Sequence, residues 1–86
     1  MLHLVQSQLS TQAFARLLEQ LAFDDDLVLM NDGVYLVEQA KLCPCRCHVM
    51  LNDSQMRGLG LADGMLALDM GGLLTLSEQH SSSASW

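Results

Sequence analysis

Three thiols and an imidazole crowd into six consecutive residues, Cys43-Pro44-Cys45-Arg46-Cys47-His48, with Lys41 close by. Positive charge beside a cysteine favours its nucleophilic thiolate, so the run has the residue types for persulfide carriage or dithiol redox chemistry. Soft thiolates with an imidazole also suit zinc or copper(I). Structural zinc sites, however, usually pair two Cys-x-x-Cys knuckles from separate turns, and this chain has neither. Neighbouring residues of an extended segment point to opposite faces, so Cys47 and His48 reach one metal only if the backbone there is irregular. A third reading is structural. In an extended segment Cys45, Cys47, Val49 and Leu51 share one face, as small apolar residues entering a core do, and this spacing favours packing over the thiol and metal roles.

Elsewhere the chemistry is thinner. His3 falls in an apolar opening and reads as a satisfied core or interface histidine, because no nucleophile sits at a recognisable spacing from it. His80 lies beside a serine-rich tail and carries less still. The glycines form neither a phosphate-binding loop nor a dinucleotide fingerprint, and read as turns and helix ends. Asp24, Asp25 and Asp26 read as a solvated loop, with a basic partner as the alternative; the other aspartates abut strand ends or turns, where Asp bonds locally. No paired acid and base stands out.

The elements that must position these residues follow from periodicity. Met1 to Val5 is a short apolar strand, and Phe14, Leu17, Leu18 and Leu21 fall at i, i+3, i+4 and i+7 of an amphipathic helix capped by Ser10 or Thr11. Leu27 to Met30 is an apolar run of the kind buried on both faces of a sheet. Gly33 to Leu42 has room for a short helix, stopped before Pro44. A strand at about Cys47 to Leu51, one helical turn capped by Asn52 or Asp53 and ended by Gly58, a strand at Met65 to Leu68 and a helix over Gly71 to Gln79 complete the pattern. Strands alternating with helices predict an α/β fold: a small, mainly parallel sheet of about four strands with helices on both faces. Residues 1–80 are read as one domain, and 81–86 as a C-terminal tail that is flexible except for Trp86, which needs a hydrophobic place to go.

Composition narrows the function classes. The 86 residues are half apolar and 16% charged, against roughly 25% in an ordinary soluble domain. A domain this small is marginal alone, so such an apolar balance points to an obligate subunit whose core a partner completes. Ten acidic residues against four Lys and Arg give a net charge of −6, which repels phosphate backbones and argues against direct nucleic-acid binding. No run approaches a membrane span, the opening lacks a signal peptide's basic start, and the crowded odd cysteines do not form a secreted disulfide pattern. A cytoplasmic protein with reduced thiols and no cofactor is expected.

Several stretches carry a resemblance: Met1-Leu2-His3, the capped first helix, Asp26-Leu27-Val28-Leu29-Met30-Asn31-Asp32-Gly33-Val34, Leu51-Asn52-Asp53, Arg57-Gly58-Leu59, Leu68-Asp69, and a tail with His80 and Trp86. In this order and over nearly the whole length, the chain resembles the TusB family, also called DsrH-like. The resemblance implies a DsrE-like fold and a place in a two-of-each heterohexamer with TusC-like and TusD-like subunits. In the Tus branch such a complex passes persulfide sulfur towards 2-thiouridine at the tRNA wobble position; in the Dsr branch a similar assembly serves sulfur oxidation. Dsr-branch members carry a cysteine near the first helix, and Ser10 to Ala22 contains none, which favours the Tus reading. The relay's principal cysteine belongs to the TusD-like subunit, so this chain is expected to be non-catalytic alone. Trp86 is the expected partner contact. Cys43, Cys45 and Cys47 remain the thiol or metal alternative.

Overall fold

A computed structural model describes residues 1–86. Five strands form one sheet: β1 (Leu2–Val5), β2 (Asp26–Leu29), β3 (Arg46–Met50), β4 (Leu66–Leu68) and β5 (Ser83–Ser85). Their spatial order is β4-β3-β2-β1-β5, and every pairing is parallel. The α/β class and parallel sheet agree with the sequence reading, with one more strand than expected. The extra strand is the tail itself. Residues expected to be flexible continue the sheet because Trp86 is tied to β1 through both its backbone groups, its N–H donating to the Leu4 carbonyl and its carbonyl accepting from Gln6.

Three helices connect the strands: α1 (Thr11–Gln20), α2 (Leu51–Met56) and α3 (Met70–Glu78). Ser10 caps α1, its Oγ accepting from the Ala13 amide at 3.1 Å, and Phe14 and Leu17 on its buried stripe enter the core. Asp69 caps α3 through the Gly72 amide at 2.7 Å. The segment expected as one short helix is instead two 3-10 segments, Asn31–Leu36 and Gln39–Leu42, consistent with the β-branched Val34 and Val37 and with the early stop before Pro44. The expected cap of α2 is also different. That helix begins at Leu51 without a side-chain cap, and Asp53 accepts from the Asn31 amide instead, tying the end of β2 to α2.

The connections explain the two faces. From β1 to β4 the chain steps steadily in one direction across the sheet, so right-handed crossovers put α1 and the 3-10 segments on one face. The return from β4 to β5 runs the opposite way and carries α3 across the other. The first face holds the larger core, where Phe14, Leu17, Val34 and Leu36 pack on Leu27, Leu29, Cys47 and Val49. The second is thinner: Leu2, Val28, Met50 and Leu76 form its buried centre, while Leu66, Met70 and Leu74 stay exposed.

At one point the packing leaves no room for a side chain. A Cβ on Gly33 would lie 2.1 Å from the Val5 carbonyl oxygen, a backbone atom that already accepts the Met30 amide. Gly33→Ala is therefore expected to lower the unfolding free energy by about 1–3 kcal/mol, the usual cost of overpacking. Urea denaturation reads this as a lower midpoint at unchanged slope, and an unaltered midpoint would refute the close approach.

Candidate functional site

The aspartates expected as a solvated loop are instead the polar centre of the fold. Asp24 is exposed, but Asp25 and Asp26 are buried and serve opposite faces of the sheet. Asp26 opens β2 in register with Arg46 at the start of β3, and Arg46 and His48, two residues apart, lie on the same side of that strand. The His48 Nε2 lies 2.8 Å from Oδ1 of Asp26, and the His80 Nε2 lies 2.8 Å from its Oδ2. Arg46 approaches as a fork, with Nη2 donating to Oδ2 at 3.0 Å and Nε 3.0 Å from Oδ1. Burial pushes the Asp26 carboxyl up, but the bonds from His48, His80 and Arg46 outweigh it and hold the group below the usual carboxylate range.

Asp25 performs a similar task toward the α1 face. It binds the Met1 ammonium at 2.8 Å and the Ala22 amide at 3.0 Å, and its Oδ2 is 3.1 Å from Nε2 of His3. The Met1 ammonium and then the Ala22 amide hold its carboxyl down at about 2. His3 in turn accepts from the indole N–H of Trp86 at 3.4 Å, and the two rings stack with centroids 6.3 Å apart. Trp86 thus finds its hydrophobic place against its own first strand, yet stays 38% exposed.

Neither cluster contains an attacking group. Asp26 and His48 have the relation of a general base and its orienting acid, but no hydroxyl or thiol hydrogen-bonds to His3, His48 or His80. With Nε2–H donating to Asp26, a neutral His48 ring leaves Nδ1 as a buried lone pair with no donor. His80, read from the sequence as lying beside a mobile tail, is a half-hidden clasp between the end of α3 and the sheet.

The cysteines lie apart from this centre, along a cleft of about 530 Å³ whose walls include Phe23, Lys41, Cys43, Cys45, Arg46 and Cys47. Cys47 enters the α1-side core with Val49, as the alternating pattern predicts, and burial pushes its thiol up to about 12. Leu51, grouped with them by the same pattern, begins α2 and is exposed. Cys43 and Cys45 are partly exposed with their Sγ atoms 3.4 Å apart. Burial, then the Cys43 contact, pushes the Cys45 thiol far up. No three His, Cys, Asp or Glu side chains are grouped in a way that could hold a metal ion.

The register of the strands brought the acid-histidine cluster together across 22 and 54 residues, which local spacing does not reveal. Its only sequence signal is Arg46-x-His48 on one face of a strand that lies beside an aspartate at a strand start.

A small, wholly parallel α/β sheet with one reversal of direction and polar clasps at its strand starts defines the class of fold. The family model for DsrH-like proteins matches residues 6–83, and the chain belongs to that family. Among solved structures it is similar to protein Tm0979 from Thermotoga maritima, determined by solution NMR, with a TM-score of 0.71 and 16% identity over 95% of this chain and 97% of that one. That likeness establishes the fold. No curated protein sequence matches the chain. No helix is long and apolar enough to cross a membrane.

Removing the Asp26 carboxylate leaves two histidines and a guanidinium without their acceptor, so Asp26→Ala is expected to destabilise the fold by about 3–5 kcal/mol. Denaturant titration checks this, with Asp24→Ala as the control near zero. The pH dependence has a definite sign. A carboxyl held at about 2 in the folded chain and near 3.8 when free contributes stability that is complete above the free value and lost as pH falls through the folded one. Unfolding free energy is therefore expected to decline between pH 4 and about 2, less steeply in Asp25→Asn; an identical slope in the variant would exclude Asp25 as a cause.

Proposed function

We propose that this chain is a non-catalytic subunit of a TusBCD-like sulfur-relay heterohexamer, with TusC-like and TusD-like partners, that passes persulfide sulfur for 2-thiouridine formation at the tRNA wobble position. Family membership supports the relay, and the observation that carries the scaffold role is the pairing of a polar centre lacking a nucleophile with an apolar surface beyond a monomer's needs. Leu66, Met70 and Leu74 are exposed on the sheet face that α3 covers, and Met56 and Leu42 are exposed elsewhere. An obligate interface resembles a domain core cut in half, and an 86-residue chain has few other ways to complete such surface.

Charge supports the same kind of partner. Of the four basic side chains, Arg46 and Arg57 are committed to Asp26 and Asp32, and Lys41 is paired with Glu38. The net charge stays at −6 with little unpaired basic surface, which favours protein partners over a phosphate backbone. Trp86, still partly exposed after stacking on His3, offers an aromatic edge of the type that dominates interface energetics.

Native mass spectrometry of the chain with its TusC-like and TusD-like partners is expected to give two copies of each. Trp86→Ala is expected to weaken assembly roughly 10-fold or more, the usual effect of losing an aromatic hot spot. A monomer indifferent to both partners would overturn the scaffold reading, and unchanged assembly in Trp86→Ala would remove the anchoring role.

A further inference from the structure

The two partly exposed thiols of the cleft stand in unusual proximity. The Sγ atoms of Cys43 and Cys45 are 3.4 Å apart, while a disulfide bond spans about 2.05 Å, so the gap closes by a short side-chain movement. Pro44 between them fixes the local backbone, so closure falls to the two side-chain torsions. Cys43 follows the 3-10 segment Gln39–Leu42 in an extended conformation, and β3 begins only at Arg46, so neither thiol is carried by a helix or strand. Both line the open cleft of about 530 Å³, together with Phe23, Lys41 and Arg46, which leaves room for a small molecule beside them. Cys47 also borders the cleft but belongs to β3, is 5% exposed and packs in the core.

We propose that Cys43 and Cys45 form a reactive dithiol that takes small-molecule disulfides as its substrate class and closes to an intramolecular disulfide, a site distinct from the acid-histidine centre. Its chemistry is two successive exchanges. The Cys43 thiolate attacks one sulfur of R–S–S–R; a Cys43 S–S–R bond forms, and R–S⁻ leaves. Cys45 then loses its proton and attacks the Cys43 Sγ, forming the Cys43–Cys45 bond and expelling the second R–S⁻. The protein dithiol is oxidised by two electrons, the small disulfide is reduced to two thiols, and both protein protons end on those thiols.

The order of attack follows from the contacts. Burial and the hydrogen bond shared with Cys43 hold the proton on Cys45, so Cys43 is the thiol left to attack. Once Cys43 carries R–S, it is no longer a negative neighbour, and that part of the restraint on Cys45 is gone.

The test uses the reduced full chain with oxidised glutathione, acid quenching, alkylation and peptide mapping. Expected in the wild type are the loss of two free thiols, a Cys43–Cys45 cross-linked peptide and a Cys47 still available for alkylation after unfolding. Cys45→Ser is expected to stop at a lasting glutathione adduct on Cys43, and Cys47→Ser to close as the wild type does. Three free thiols, a cross-link through Cys47, or a lasting adduct on the wild-type chain would each overturn the proposal. Because the chain is tested alone, the outcome does not depend on assembly with partners.

Discussion

A carboxylate with no exposed surface sets the terms for this small fold. Asp26 begins the central strand, and its two oxygens take donors from β3 on one side and from the end of α3 on the other. Burying an ion is unfavourable unless partners replace the water it loses, so the strand start, Arg46, His48 and His80 must arrive together or not at all. The cluster therefore fixes more than local geometry. It sets the register of β2 against β3, and it holds the last helix to a face where few apolar side chains are buried. Asp25 acts alongside it, joining the chain's first residues to the turn before β2 and, through His3, to Trp86.

The division of labour between the faces follows from topology. Stepwise crossovers gather α1 and the 3-10 segments over Leu27, Leu29 and Val49, and there the larger apolar core forms. A single reversed connection leaves the opposite face with only α3, and polar bonds to Asp26 do what packing does elsewhere. A fold arranged in this way keeps part of its surface apolar.

Much of this was legible from residue order. The first helix and its Ser10 cap, the buried run at Leu27 to Leu29 and the alternating Cys47 and Val49 are local patterns, and periodicity reads them directly. The parallel sheet followed from the alternation of elements. What stayed hidden depends on distance along the chain. Asp25 and Asp26 look like any acidic turn until the sheet sets His3 beside the first and Arg46 and His48 beside the second, and Ser83 to Ser85 has no strand signature, because its pairing with β1 is made by backbone groups and by Trp86. The region between Gly33 and Leu42, which has room for one short helix, forms two 3-10 segments, since local propensity does not distinguish a weak α-helix from two tighter turns.

The placement of β5 has a temporal meaning. Its partner is β1, the first of the five strands in chain order, whereas β5 and the Trp86 backbone bonds come last. Until they have been made, β1 presents an unpaired edge, His3 lacks its indole neighbour and Asp26 lacks His80. Until β5 pairs, the folding chain keeps a bare β1 edge, and Asp26 has Arg46 and His48 but not yet His80. Such an intermediate is open to edge-to-edge pairing with other chains, which makes early encounter with a companion polypeptide, or with a chaperone, an advantage during its production.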